Sequence, residues 1–82
     1  MKQRYSYMIT IIVDAVRKEA LEREMQPVEL TGMDAERLLA DMQKNNPDSV
    51  AGRWYKNSPR THKTSFRNAW EDKKRYASRM SA

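Results

Sequence analysis

Between Met8 and Met25 the apolar residues recur at helical spacing. Ile9, Ile12, Val13, Val16 and Ala20 line one side of a wheel, and Arg17, Lys18, Glu22 and Glu24 occupy the rest. This stripe constrains the fold more than any other feature, because it needs a core to face. The competing signal is the β-branched run Ile9-Thr10-Ile11-Ile12-Val13, which has strand propensity. A short strand from Tyr5 to Val13 feeding a helix from Asp14 is the alternative reading. The helix is preferred because a lone strand has no visible partner elsewhere in the chain. Pro27 marks its end, since the residue before proline is pushed out of the α region.

Three further helices follow from capping and turn residues. Thr31 stands three residues before Asp34 and resembles a capping box, so a second helix is predicted to about Lys44 with Ala35, Leu38, Leu39 and Met42 inward. Asn45-Asn46-Pro47 stops it. Asn46 then serves as cap for a short third helix, about Pro47 to Lys56, with Pro47 at its first position and Asp48 facing the positive end of the dipole. Val50, Ala51 and Trp54 are expected on its inner side, and Gly52 weakens it by roughly 1 kcal/mol relative to Ala. Asn57-Ser58-Pro59 is a turn. Thr64 or Ser65 caps a last helix through about Ser78, with Phe66, Ala69, Trp70, Tyr76, Ala77 and Met80 as its apolar stripe. The expected fold is all-α, a small bundle of about four helices.

The chain has 82 residues and is read as one domain, 1–82, because two glycines and three prolines leave little material for a linker. A core of this size is marginal alone. With no cysteine, a disulfide framework and a Cys-based zinc site are excluded. One histidine and no calcium-loop spacing argue against any metal, and no phosphate-cradling glycine loop or dinucleotide fingerprint is present, so no cofactor is expected. The apolar run after Tyr7 falls far short of the roughly 20 residues of a membrane span. No signal-peptide cleavage site follows it either, so a cytoplasmic protein without membrane partners is expected.

The net charge of +5 hides an asymmetry. Residues 1–50 carry 7 basic and 9 acidic residues, whereas 51–82 carry 9 basic against Glu71 and Asp72 and hold five of the seven aromatics. Clustered cations suit a line of phosphates, because neutralising phosphates releases condensed counterions. The aromatics, by their wheel positions, are assigned to the core. The candidate contact residues are Ser49, Arg53, Lys56, Arg60, Lys63, Arg67, Lys74 and Arg75. Arg53 and Ser49 are the best placed for base edges, and the rest for phosphate oxygens.

A second signal is a helix-turn-helix-like corner from Glu36 to about Lys56. Ala40 and Val50 fall at its tight inner positions, although Arg53 stands where an apolar residue is expected. Ser49, Arg53 and Lys56 would face the reading side, flanked by Lys44 and Arg60. DNA is favoured over RNA because helices read major grooves and no RNA-type stacking platform is evident. Ile11 and Leu21 extend the apolar surface of the first helix, which makes a homodimer through that helix a candidate.

The expected function is therefore a small non-enzymatic regulatory protein that binds nucleic acid through a basic C-terminal face. The alternative is an adaptor or inhibitor docking on an acidic protein surface, for instance in a nucleic-acid-processing complex, with Trp54 or Tyr55 as anchor. His62, the only imidazole, reads as an exposed loop residue, since nothing marks a nucleophile or an orienting partner for it. No catalytic residue is assigned.

Overall fold

The computed structural model describes residues 6–81, with side chains for 6–76. Within them the chain forms four α-helices and one 3₁₀ turn: α1 (Tyr7–Glu22), the 3₁₀ turn (Pro27–Glu29), α2 (Gly32–Asn45), α3 (Val50–Asn57) and α4 (Arg60–Ser81). The all-α bundle holds, and the β-branched run is helical throughout. Tyr5, where the alternative strand would begin, lies outside the described residues.

Each helix starts on a hydroxyl or a proline. The Ser6 hydroxyl accepts the Ile9 N–H at 3.2 Å and opens α1. At the other end the Met25 N–H reaches the Ala20 carbonyl at 2.9 Å and the Glu24 N–H reaches Leu21 at 3.0 Å, the paired bonds of a Schellman motif. Glu24 occupies its left-handed position at φ 61°. The helix thus stops before Pro27, earlier than the proline rule places it, and Met25 folds back onto the core.

Thr31 and Asp34 form the full capping box of α2, each side chain accepting the other's backbone N–H at 3.1 Å. Ser49, not Asn46, caps α3, its hydroxyl accepting the Gly52 N–H at 3.1 Å. Asn46 instead ends α2, bonding back to Met42 at 2.8 Å, and Pro47 and Asp48 fall in the turn between the helices. The last helix begins at Arg60, directly after Pro59, whose carbonyl accepts from His62 at 3.0 Å. Thr64 and Ser65 are therefore interior to α4, and the Thr64 hydroxyl donates back to Arg60 at 3.2 Å.

The core joins the inner faces of all four helices: Ile9, Ile12, Val13, Val16 and Ala20 from α1, Ala35, Leu38, Leu39 and Met42 from α2, Ala51 from α3, and Phe66, Ala69 and Trp70 from α4. Trp70 and Phe66 are its largest fully enclosed side chains. The Trp70 indole N–H donates to the Leu30 carbonyl at 3.1 Å, so the loop before α2 is tied to α4. Glu71, one residue on, accepts the first N–H of α2 from Gly32 at 2.6 Å and faces the positive end of that helix.

Two expected core positions are outside. Val50 is 64% exposed and Tyr76 66% exposed. For Val50 the cause is Gly52, which lies so close to α2 that a Cβ on it would stand 2.8 Å from the Gln43 Cα. Bringing the glycine onto α2 turns Val50 to solvent. For Tyr76 the described core on α4 ends at Trp70. Ala77 and Met80, the remaining residues of the expected stripe, lie outside the described side chains.

Candidate functional site

The eight basic or hydroxyl residues singled out by the sequence fall into four groups. Ser49 is half-buried, and its hydroxyl oxygen is taken up by the cap of α3. Arg53 and Lys56 stand on the outer side of α3, because Ala51, Gly52 and Tyr55 face inward. Arg60 follows at the start of α4, also exposed. These three cations have no ion-pair partner among the described residues, whose bridges involve Arg23, Arg67 and Lys73. Together they form a basic corner where α3 hands over to α4. Beside them Gln43, Pro47, Gly52, Arg53 and Lys56 line a small recess of about 100 Å³.

Lys63 and Arg67 turn toward α2 and α3 instead. The Lys63 ammonium sits 4.3 Å from the centre of the Tyr55 ring, a cation–π contact. The Arg67 Nε donates to Glu36 Oε2, an ion pair across α2 and α4. Its hydrogen bond to Glu36 raises the Arg67 pKa further above the ordinary guanidinium value. Glu36 also accepts from the Tyr55 hydroxyl at 3.4 Å. The Tyr55 phenol is raised, by burial first and by the Glu36 charge second. Two of the late cations are thus cancelled by carboxylates from early helices: Arg67 by Glu36, and Lys73 by Asp14.

Lys74 shares the flank of α4 that carries Arg67 and lies near Asp34, while Arg75 is exposed on another side of the helix. At 1.5 Å per residue, Arg75 stands about 22 Å along the axis from Arg60. The helix therefore separates this pair from the α3–α4 corner.

An aromatic row runs inward from that corner. His62 and the half-buried Trp54 stack with centroids 6.5 Å apart and planes 6° from parallel. Trp54 lies 6.3 Å from Phe66, which in turn lies 6.3 Å from Trp70. Sequence reasoning placed His62 in a loop and Trp54 in the core, and so missed the pair. Its two members are eight residues apart across Pro59, and no periodic pattern links residues on either side of such a turn. Glu36 was missed as well. The available signal was its place on the flank of the α2 stripe, next to Leu39 on the wheel.

From Ser49 to Trp70 the chain carries Arg53, Lys56, Arg60, Lys63 and Arg67 and not one Asp or Glu. Among the described residues no group of three or more His, Asp or Glu side chains is placed to hold a metal ion. No described helix is long and apolar enough to cross a membrane. No protein-family model matches the chain, and no curated protein and no solved structure is significantly similar to it.

Proposed function

We propose that this chain is a small nucleic-acid-binding regulatory protein that lays its α3–α4 corner on a phosphate backbone. The observation that carries the reading is the acid-free stretch from Ser49 to Trp70, in which Arg53, Lys56 and Arg60 are exposed and unpaired among the described residues. Cations without a carboxylate partner are the ones whose charge remains for phosphates, and their neutralisation releases counterions.

Duplex DNA is the favoured target. The α3 helix stands after a short turn from α2, held on it by Gly52, and its outer side presents Arg53, a residue suited to the paired acceptors of guanine in a major groove. The half-buried Trp54 stays packed against Phe66, which leaves little ring surface for stacking unpaired bases. Such a protein would work in the cytoplasm.

Titration of a labelled mixed-sequence duplex across a salt series tests the proposal. Three to four phosphate contacts give a slope of log K on log salt of about −2.7 to −3.6. Binding that ignores salt overturns it. The adaptor reading rests on the exposed Val50 beside Arg53, an apolar group next to a cation. A partner protein retained from lysate after nuclease treatment would favour that second reading.

A further inference from the structure

The outer side of α1 carries a second ordered pattern. Tyr7, Ile11, Asp14, Lys18 and Leu21 succeed one another at alternating steps of four and three residues, the spacing of a helix–helix seam. None of the five belongs to the core: Tyr7 is 70%, Ile11 38% and Leu21 62% exposed, and Asp14 and Lys18 also face outward. Apolar groups thus stand at both ends of the seam and two opposite charges in its middle.

That order is complementary to itself in one arrangement. When a second α1 crosses antiparallel about a two-fold axis level with Val16, each residue meets the one equally far on the other side of position 16. Ile11 then meets the partner's Leu21, and Asp14 meets the partner's Lys18, each pair occurring twice. Ala15, half-buried, lies next to the axis and is small enough to let the backbones approach. A parallel pairing would set Asp14 against its own copy and Lys18 against its own copy, which repels. An apolar partner would cover Lys18 without a counter-charge.

Asp14 and Lys18 both keep bonding capacity for this role. Asp14 accepts from Lys73 through Oδ1 only, and Lys18 has no ion-pair partner among the described residues. We propose that α1 is the interface of a two-fold antiparallel dimer of this chain, with the Asp14–Lys18 pairs fixing its direction. One helix from each subunit gives a contact below the roughly 1,200 Å² of a standard interface, so the association is weak and dependent on concentration.

The test uses the whole chain without nucleic acid, so its outcome is separate from the phosphate-binding reading. Sedimentation equilibrium between about 1 μM and 1 mM should show the mass rising from the 9.7 kDa of one chain toward twice that. Leu21→Asp, at an exposed position, should keep the helical circular dichroism and remain at the single-chain mass. The chain has no cysteine, so single-cysteine variants report direction. Mixed Ile11→Cys and Leu21→Cys chains should form a disulfide with each other. Neither should do so alone, because identical positions stand about 15 Å apart along the axis, beyond the roughly 7 Å a disulfide spans. A single-chain mass at 1 mM, a dimer that survives Leu21→Asp, or ready self-linking of Ile11→Cys overturns the proposal.

Discussion

Gly52 touches the backbone of Gln43: a Cβ at position 52 would lie 2.8 Å from the Gln43 Cα and 3.0 Å from its nitrogen. The obstacle is main chain and has no rotamer to retreat into. Alanine at this helical position would gain about 1 kcal/mol of helix propensity. Forcing α3 away from α2 costs roughly 1–3 kcal/mol, as overpacking does. The clash outweighs the gain over most of that range, and Gly52→Ala is expected to lower stability by up to about 2 kcal/mol in urea unfolding. A stabilised variant would show that α3 is not held that close.

Glu24 offers the opposite case. It closes the Schellman motif of α1 at φ 61°, where a side chain costs about 1–2 kcal/mol. Glycine removes that strain and returns part of the gain as unfolded-chain entropy. Glu24→Gly should therefore raise the unfolding free energy by about 0.5–1 kcal/mol, and a urea midpoint that falls instead would contradict the geometry.

Trp70→Phe probes the tie between α4 and the loop before α2. The substitution leaves the Leu30 carbonyl without its donor and opens space in the core beside Phe66. A loss of about 2–3 kcal/mol is expected. Amide exchange should quicken from Val28 to Thr31 more than elsewhere.

Acid acts on two carboxylates with opposite signs. Asp34 is lowered, by the Thr31 backbone N–H first and the Thr31 hydroxyl second. Its contribution is complete above an unfolded value of about 3.9 and is lost as the pH falls through the lower folded one. Glu19 is raised, burial outweighing the nearby Arg23 guanidinium. It favours folding below about pH 4.3 and loses that benefit as the pH rises through its folded value. Urea midpoints should show Asp34→Ala penalised at pH 7, with the penalty shrinking in acid. Glu19→Gln should gain stability at pH 7 and lose that gain below about pH 4.

Arg60 and Arg67 separate free charge from spent charge. Arg60→Gln should weaken duplex binding and reduce the salt slope by about 0.9. Arg67→Gln should leave that slope in place and lower stability instead, because Glu36, largely buried, loses its cation. Equal changes in slope for the two variants would mean that the Glu36 pair does not withhold Arg67 from phosphate.

The parts of this fold legible in the sequence are those set by neighbours three or four residues apart. The α1 stripe and the Thr31–Asp34 capping box are of that kind. The start of α3 was misplaced because Asn46 and Ser49 are both acceptable caps, and only the use of Asn46 to close α2 decides between them. Val50 was misassigned because the facing of α3 follows from how closely Gly52 approaches α2, a tertiary fact. The basic character of the candidate site was plain from composition. Its division into free and paired cations was not, since the Arg67–Glu36 and Lys73–Asp14 partners lie 31 and 59 residues apart.

The bonds that α4 makes have a bearing on synthesis. Arg67, Trp70, Glu71 and Lys73 reach α2, the loop before it and α1, and Phe66 and Trp70 fill the centre that those elements surround. A nascent chain halted at Pro59 would have three helices with a hollow between them. The bundle can therefore close only after translation has passed Lys73.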